Sequence, residues 1–196
     1  MSSTVPGPTQ EPFSVAVDAR GELAPATSTI TRRLSHMAGM YLDSEAESRM
    51  LEDGDPLVYE VYQYDVAPVV NELLVCTTIL HPGTVGDELF MTKGHFHEAP
   101  DRAEAYYGVS GHGLLVVGKD GEGREVEIGP GVCAYVPPYW AHRTVNTGDE
   151  PFVFLAVYPG DAGHDYGTIE TDGFPQRILR RDGAVVVVGS DGSERG

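Results

Sequence analysis

Positive charge is scarce in this chain: 13 Lys and Arg stand against 30 Asp and Glu, a formal net charge of -17 over 196 residues. Phosphate backbones are bound through a surplus of Lys and Arg, so nucleic acid is excluded as a partner. The same deficit burdens any anionic small molecule, which would need a locally positive site within a repelling field. Cysteine is nearly absent. Cys76 and Cys133 both fall in apolar, strand-like runs, so two buried reduced thiols are expected and no disulfide. The stretch from Met1 to Pro12 has no apolar core, which makes it neither an export signal nor a membrane span. No membrane partner and a cytoplasmic location are therefore expected, and no internal repeat is evident.

Turn-forming residues are abundant, with 24 Gly and 14 Pro dividing many short β-rich runs. That pattern predicts an all-β sandwich or small barrel of one domain, long enough to bury a real core. Strands are expected near Val58–Tyr64, Leu73–Leu80, Leu89–His97, Ala103–Val109, Gly113–Val117, Glu125–Ile128, Cys133–Val136, His142–Asn146 and Phe152–Tyr158. A last strand is expected at Ala184–Val188, and one helix around Ser44–Leu51. Residues 1–10 read as a disordered tail, 11–188 as the domain and 189–196 as a polar, flexible tail.

The chemistry gathers in two segments. His95 and His97 are two apart in an aromatic, apolar run, so in a strand both imidazoles face one way. Gly94 just before them allows a bulge or a close backbone approach. Glu104 follows a turn at Ala99-Pro100-Asp101, on a strand where it shares a face with Tyr106. In the second segment Gly131 to His142 reads as a glycine turn, a short strand, a proline break and a returning strand. Such a hairpin would present His142 opposite the first pair. Three imidazoles and a carboxylate converging in a barrel would leave buried polar groups unsatisfied, and a divalent metal with open positions resolves that. Glu98, beside His97, should face away, and His36, His81 and His112 have no partner at ligand spacing and read as structural.

The runs Thr92-Lys93-Gly94-His95-Phe96-His97, Val136-Pro137-Pro138-Tyr139-Trp140-Ala141-His142-Arg143-Thr144-Val145-Asn146 and Tyr158-Pro159-Gly160-Asp161-Ala162-Gly163-His164-Asp165-Tyr166 resemble those of the cupin-type glucose-6-phosphate isomerases. Thr31-Arg32-Arg33-Leu34-Ser35 and Asp55 to Tyr62 extend the likeness, which runs from about Glu11 to about Val188. The resemblance implies a single cupin barrel, a double-stranded β-helix or jelly roll with a short N-terminal helical segment. It implies metal ligation by His95, His97, Glu104 and His142, and a phosphosugar pocket that includes Tyr59, Thr78, Thr92, Gly94, Tyr106, Tyr158 and His164. Within that pocket Thr78, Thr92 and Gly94 match phosphate-binding positions. Glu104 is the natural base of a proton-transfer route, and Tyr158, Tyr106 and His164 are assigned to orienting the sugar and assisting proton movement among its oxygens.

Iron(II) is the expected ion, and manganese(II), nickel(II) or zinc(II) suit the same donors. A homodimer is also implied. Proton transfer through an enediol and a direct hydride shift both fit the expected isomerisation. A metal-dependent cupin oxygenase and a non-catalytic sugar-binding cupin are the alternatives that the ligand pattern leaves open.

Overall fold

The computed structural model of the protein describes residues 11–193. The expected disordered tail, residues 1–10, lies outside the described residues, as do 194–196 of the C-terminal tail. A two-stranded ribbon, β1 (Ala16–Val17) with β2 (Leu23–Ala24), precedes β3 (Ser28–Arg33), a 3-10 turn at Leu34–Met37 and helix α1 (Ser44–Asp53). Asp43 caps α1, its carboxylate accepting from the Ala46 amide, and Gly54 ends it. The chain then forms β4 (Leu57–Tyr64), β5 (Leu73–Leu80), the short β6 (Thr84–Val85) and β7 (Glu88–Leu89), and β8 (Glu104–Ser110). After these come β9 (Gly113–Lys119), β10 (Glu122–Ile128), β11 (Cys133–Val136), β12 (Ala141–Asn146) and β13 (Phe152–Pro159). Helix α2 (Tyr166–Asp172) and the hairpin of β14 (Gln176–Arg181) and β15 (Ala184–Gly189) complete the described residues.

The strands assemble into a six-stranded sheet ordered β11-β8-β13-β5-β4-β3, a three-stranded sheet β10-β9-β12 and a four-stranded sheet β15-β14-β7-β6. All their pairings are antiparallel. One apolar cluster joins them: Leu80, Phe152 and Val136 from the large sheet, Leu115 and Val145 from the three-stranded one, Ile178 from β14. This is the cupin jelly-roll architecture, with sheets facing across a core and not one continuously bonded barrel. Period-two patterning explains the edges. β3 alternates half-buried and exposed residues along its whole length, while β12 is buried at every position because it is covered on both faces.

Four expectations need correction. The strand expected over Leu89–His97 is broken: regular pairing stops at Leu89, and only isolated bridges at Met91, His95 and Phe96 continue it. Gly94 forces the break, with φ +78°, a conformation that side-chain-bearing residues rarely adopt. The expected hairpin before His142 does not form, because β11 pairs with β8 and β12 with β9, in different sheets. Cys133 is exposed, on the outer face of the edge strand β11, whereas Cys76 is buried as expected. Finally the β1–β2 ribbon, β3, the 3-10 turn, β6, β14 and α2 are additional elements. The expected helix is present as α1.

Asn146 stitches two sheets together at the end of β12. Fully buried, it donates from Nδ2 to the carbonyls of Leu80 and Glu150 and accepts from the Gly148 amide. Asn146→Ala would strand two carbonyls and an amide away from partners, and metal-stripped protein is expected to lose about 2–4 kcal/mol in chemical denaturation. A change within about 0.5 kcal/mol would contradict that role.

Candidate metal centre and pocket

His95 and His142 are placed by backbone, not by side-chain chance. The His95 amide donates to the His142 carbonyl at 3.1 Å, and the His142 amide returns the bond to His95 at 3.0 Å. Directly opposed antiparallel residues project from the same face, so the rings meet with centroids 4.4 Å apart. His97 follows on the same side, its ring 5.0 Å from that of His142. Glu104, the first residue of β8, closes the group from the neighbouring sheet, with Oε2 at 2.9 Å from His142 Nε2 and 3.1 Å from His97 Nε2. The four donor atoms all lie within 4.8 Å of one another.

The His97 and His142 rings are turned so that a lone pair faces the centre. His97 Nδ1–H donates to the Arg102 carbonyl at 3.0 Å, and His142 Nδ1–H donates to the Trp140 carbonyl at 3.2 Å. Fixing the proton on Nδ1 leaves Nε2 as the free donor atom. The His95 and His142 Nε2 atoms are buried without a hydrogen bond, the His142 contact to Glu104 being a close approach that is not aligned as one. Burial resists ionisation of Glu104, yet His142, His97 and His95 hold its carboxyl well below the usual carboxylate range. Burial and the His142 and His164 rings push His95 the other way, toward the neutral imidazole. Imidazole nitrogens gathered around an ionised carboxylate, two of them without a hydrogen bond, fit a divalent cation and leave coordination positions open toward the pocket.

That pocket is a cavity of about 250 Å³, bounded by β3, β4, β5 and β13 on one side and by the His95 segment and α2 on the other. Tyr59, Thr78, Thr92, Gly94, Tyr106, Tyr158 and His164, all expected in a binding pocket, line it, as do His95, Glu104 and His142. Thr92 is pinned to β12, its Oγ1 accepting from the Thr144 amide at 2.9 Å and sharing a hydrogen bond with the Thr144 hydroxyl at 3.2 Å. A Cβ on Gly94 would come within 2.7 Å of the Phe174 ring and 2.9 Å of Arg143 Cβ, so only glycine fits there. Burial, then the Glu104 charge, raise the Tyr106 hydroxyl well above its ordinary value, and burial does the same for Tyr158. Both phenols stay protonated donors at neutral pH.

His164 reaches the cluster because the Phe96 and Asp165 backbones pair, at 2.8 and 3.2 Å. Asp165 then caps α2 through the Thr168 amide and hydroxyl. The His164 ring stacks on Tyr166, 5.6 Å away and 6° from parallel. Tyr166 and Cys76 also line the cavity. Neither is singled out by residue type alone, although Tyr166 falls inside the third run that carries the resemblance. Glu98 is exposed and lies against Gly163, outside the donor group. His36 caps its own turn, accepting from the Arg33 amide, and His81 faces Glu60.

Residues 31–192 match the profile of the family described as Glucose-6-phosphate isomerase (GPI). A glucose-6-phosphate isomerase of Thermococcus litoralis is 50% identical over 179 residues, covering 91% of this chain and 94% of the relative. The chain belongs to the glucose-6-phosphate isomerase family. A bacterial family member from Sinorhizobium medicae is 43% identical and covers 83% of this chain and 78% of its own length. Among solved structures, a Lactobacillus farciminis oxalate decarboxylase aligns with a TM-score of 0.45 at 26% identity, over 55% of this chain and 30% of that one. That overlap is partial, and the family assignment stands on the sequence matches.

The bidentate pair of Arg102 with Asp161, at 2.9 and 2.7 Å, fixes the backbone whose carbonyl holds His97. Asp161→Ala is expected to weaken zinc(II) affinity about tenfold in a chelator competition, with the fold intact by circular dichroism. An unchanged affinity would show that the His97 orientation does not depend on this clamp.

Proposed function

We propose that the protein is a metal-dependent aldose–ketose isomerase that interconverts D-glucose 6-phosphate and D-fructose 6-phosphate. The observation that carries this reading is membership of the isomerase family across nearly the whole chain, joined to a cavity that combines a His/Glu donor group with hydroxyl and amide donors. His95, His97, Glu104 and His142 would hold one divalent ion. We read it as iron(II), with manganese(II), nickel(II) and zinc(II) as substitutes. When bound, the ion supplies Lewis-acid polarisation of the sugar's carbonyl oxygen.

The chain's own residues do the rest. Thr92, Thr78 and the Gly94 backbone would receive the phosphate, since short hydroxyl and amide donors bind oxyanions without bulky cations. Tyr59 and Tyr106 shape the walls and exclude water. Tyr158 and His164, with rings 5.8 Å apart, stand where they can orient the sugar oxygens and pass a proton among them during ring opening. Glu104 is a catalytic candidate of a restricted kind, because a carboxylate so strongly favoured in its ionised form is a weak base. A hydride shift from C2 to C1 therefore fits this site as well as an enediol route does. Among the described residues no helix is long and apolar enough to cross a membrane. We further read the protein as cytoplasmic and as a homodimer pairing through a sheet edge, for which β11, paired only with β8 and with Tyr135 61% exposed, offers a free edge among the described residues.

The test is conversion of fructose 6-phosphate, coupled to glucose-6-phosphate dehydrogenase. Turnover by the metal-loaded protein supports the reading. Oxygen consumption with an organic substrate, or saturable sugar binding without turnover, would replace it with an oxygenase or a binding protein. His142→Ala is expected to lose bound metal together with about a thousandfold in kcat/KM, roughly 4 kcal/mol of barrier. Thr92→Val should keep the metal and raise KM for the phosphosugar about tenfold. Loss of metal from Thr92→Val would mean that the phosphate subsite is wrongly located.

A further inference from the structure

A dianionic substrate entering a protein of net charge -17 needs positive potential at the phosphate end of the pocket. Lys93 is the one Lys or Arg among the cavity's lining residues. Its ammonium is 2.5 Å from the Glu170 carboxylate of α2, so its charge is already matched. A second cation comes from β3.

Arg32 lies in β3 directly across from Tyr59 in β4, two residues beyond Ile30, and both Ile30 and Tyr59 line the cavity. Opposed residues of an antiparallel pair share a face, as do residues two apart along a strand. Arg32 therefore emerges on the pocket side of the sheet. The Tyr59 hydroxyl is the junction: burial pushes it up to about 12, and the Arg32 side chain and the Lys93 backbone pull the other way. Lys93 is the middle residue of the Thr92-Lys93-Gly94 segment to which the phosphate is assigned. Tyr166, on the opposite wall, also feels the Arg32 charge.

The neighbouring Arg33 is turned away by a register shift between the two, and its guanidinium donates to the Asp55 carbonyl at 2.9 Å. Arg32, by contrast, is in no ion pair among the described residues. A guanidinium with no carboxylate partner at this position has the fork of donors that suits a phosphate.

We propose that Arg32 determines specificity for the phosphate group, donating to it beside Tyr59 and the Thr92-Lys93-Gly94 segment. The inference rests on the isomerase reading and names a residue of its substrate site that residue-type reasoning passes over. Arg32 does not touch the reacting carbons, so its removal is felt in binding and not in the chemical step.

The experiment compares the metal-loaded full chain with Arg32→Gln and Arg32→Lys. The readouts are KM, kcat, metal content and competitive inhibition by inorganic phosphate and by the uncharged sugar alcohol glucitol. For Arg32→Gln the expected result is KM and the phosphate inhibition constant both raised about tenfold to a hundredfold. The expected kcat stays within about twofold, with glucitol inhibition and metal content unchanged. Arg32→Lys should fall between the two. Unaltered KM and phosphate inhibition in Arg32→Gln would overturn the proposal, as would equal losses of phosphate and glucitol affinity, which would mark a structural role. If the unsubstituted protein neither turns over fructose 6-phosphate nor is inhibited by phosphate, the isomerase reading itself fails and this inference falls with it.

Discussion

The reciprocal pair of backbone bonds between His95 and His142 is the constraint on which the rest of the site depends. It joins two segments 47 positions apart in the chain, one irregular and one a fully buried strand, and it does so through the residues that carry the imidazoles. Ring positions set by main-chain geometry are far stiffer than positions set by rotamers alone. Two further seams complete the arrangement. The Phe96–Asp165 pairing brings His164 and Tyr166 over the cavity, and the Arg102–Asp161 pair holds the carbonyl that orients His97. The first and last of these seams converge on the donor group and the second on the pocket wall, so the metal site and the substrate site share one scaffold.

The electrostatic design follows from the same packing. Burial disfavours charge on Glu104, and the surrounding imidazoles reverse that preference. The phenols of Tyr106 and Tyr158 are pushed upward by the same burial and by the carboxylate nearby, and so remain donors. Thr78, Thr92 and Gly94 line the same cavity, at the end where we propose that a phosphate is received.

Much of this is legible in the sequence, and the remainder is hidden for identifiable reasons. The spacing of His95 and His97, the turn before Glu104 and the proline break before His142 locate the donors that the fold brings within 4.8 Å. The way they are brought together is not legible. A strand and a hairpin account equally well for those residues, whereas the chain uses a glycine-broken segment and a crossover between sheets. α2 is seven residues long with Gly and two Thr, a weak helix by propensity, and only its Asp165 and Gly173 caps mark it. β14 reads Gln-Arg-Ile-Leu-Arg-Arg, with Arg177 and Arg180 committed to Glu88, Asp149 and backbone carbonyls that only the tertiary structure supplies. Cys133 illustrates the limit of an apolar run: alternation fixes that neighbours face opposite ways, not which face is covered.

The central claim is that one ion, held by His95, His97, Glu104 and His142, makes this cavity an isomerase. Its most direct test is stepwise addition of iron(II), without oxygen, to chelator-stripped protein while glucose 6-phosphate formation from fructose 6-phosphate is followed. Activity should be absent at the start, rise in proportion to added metal and level off at about one equivalent per chain. Full activity in protein shown to be free of metal, or none at any loading, would contradict the account.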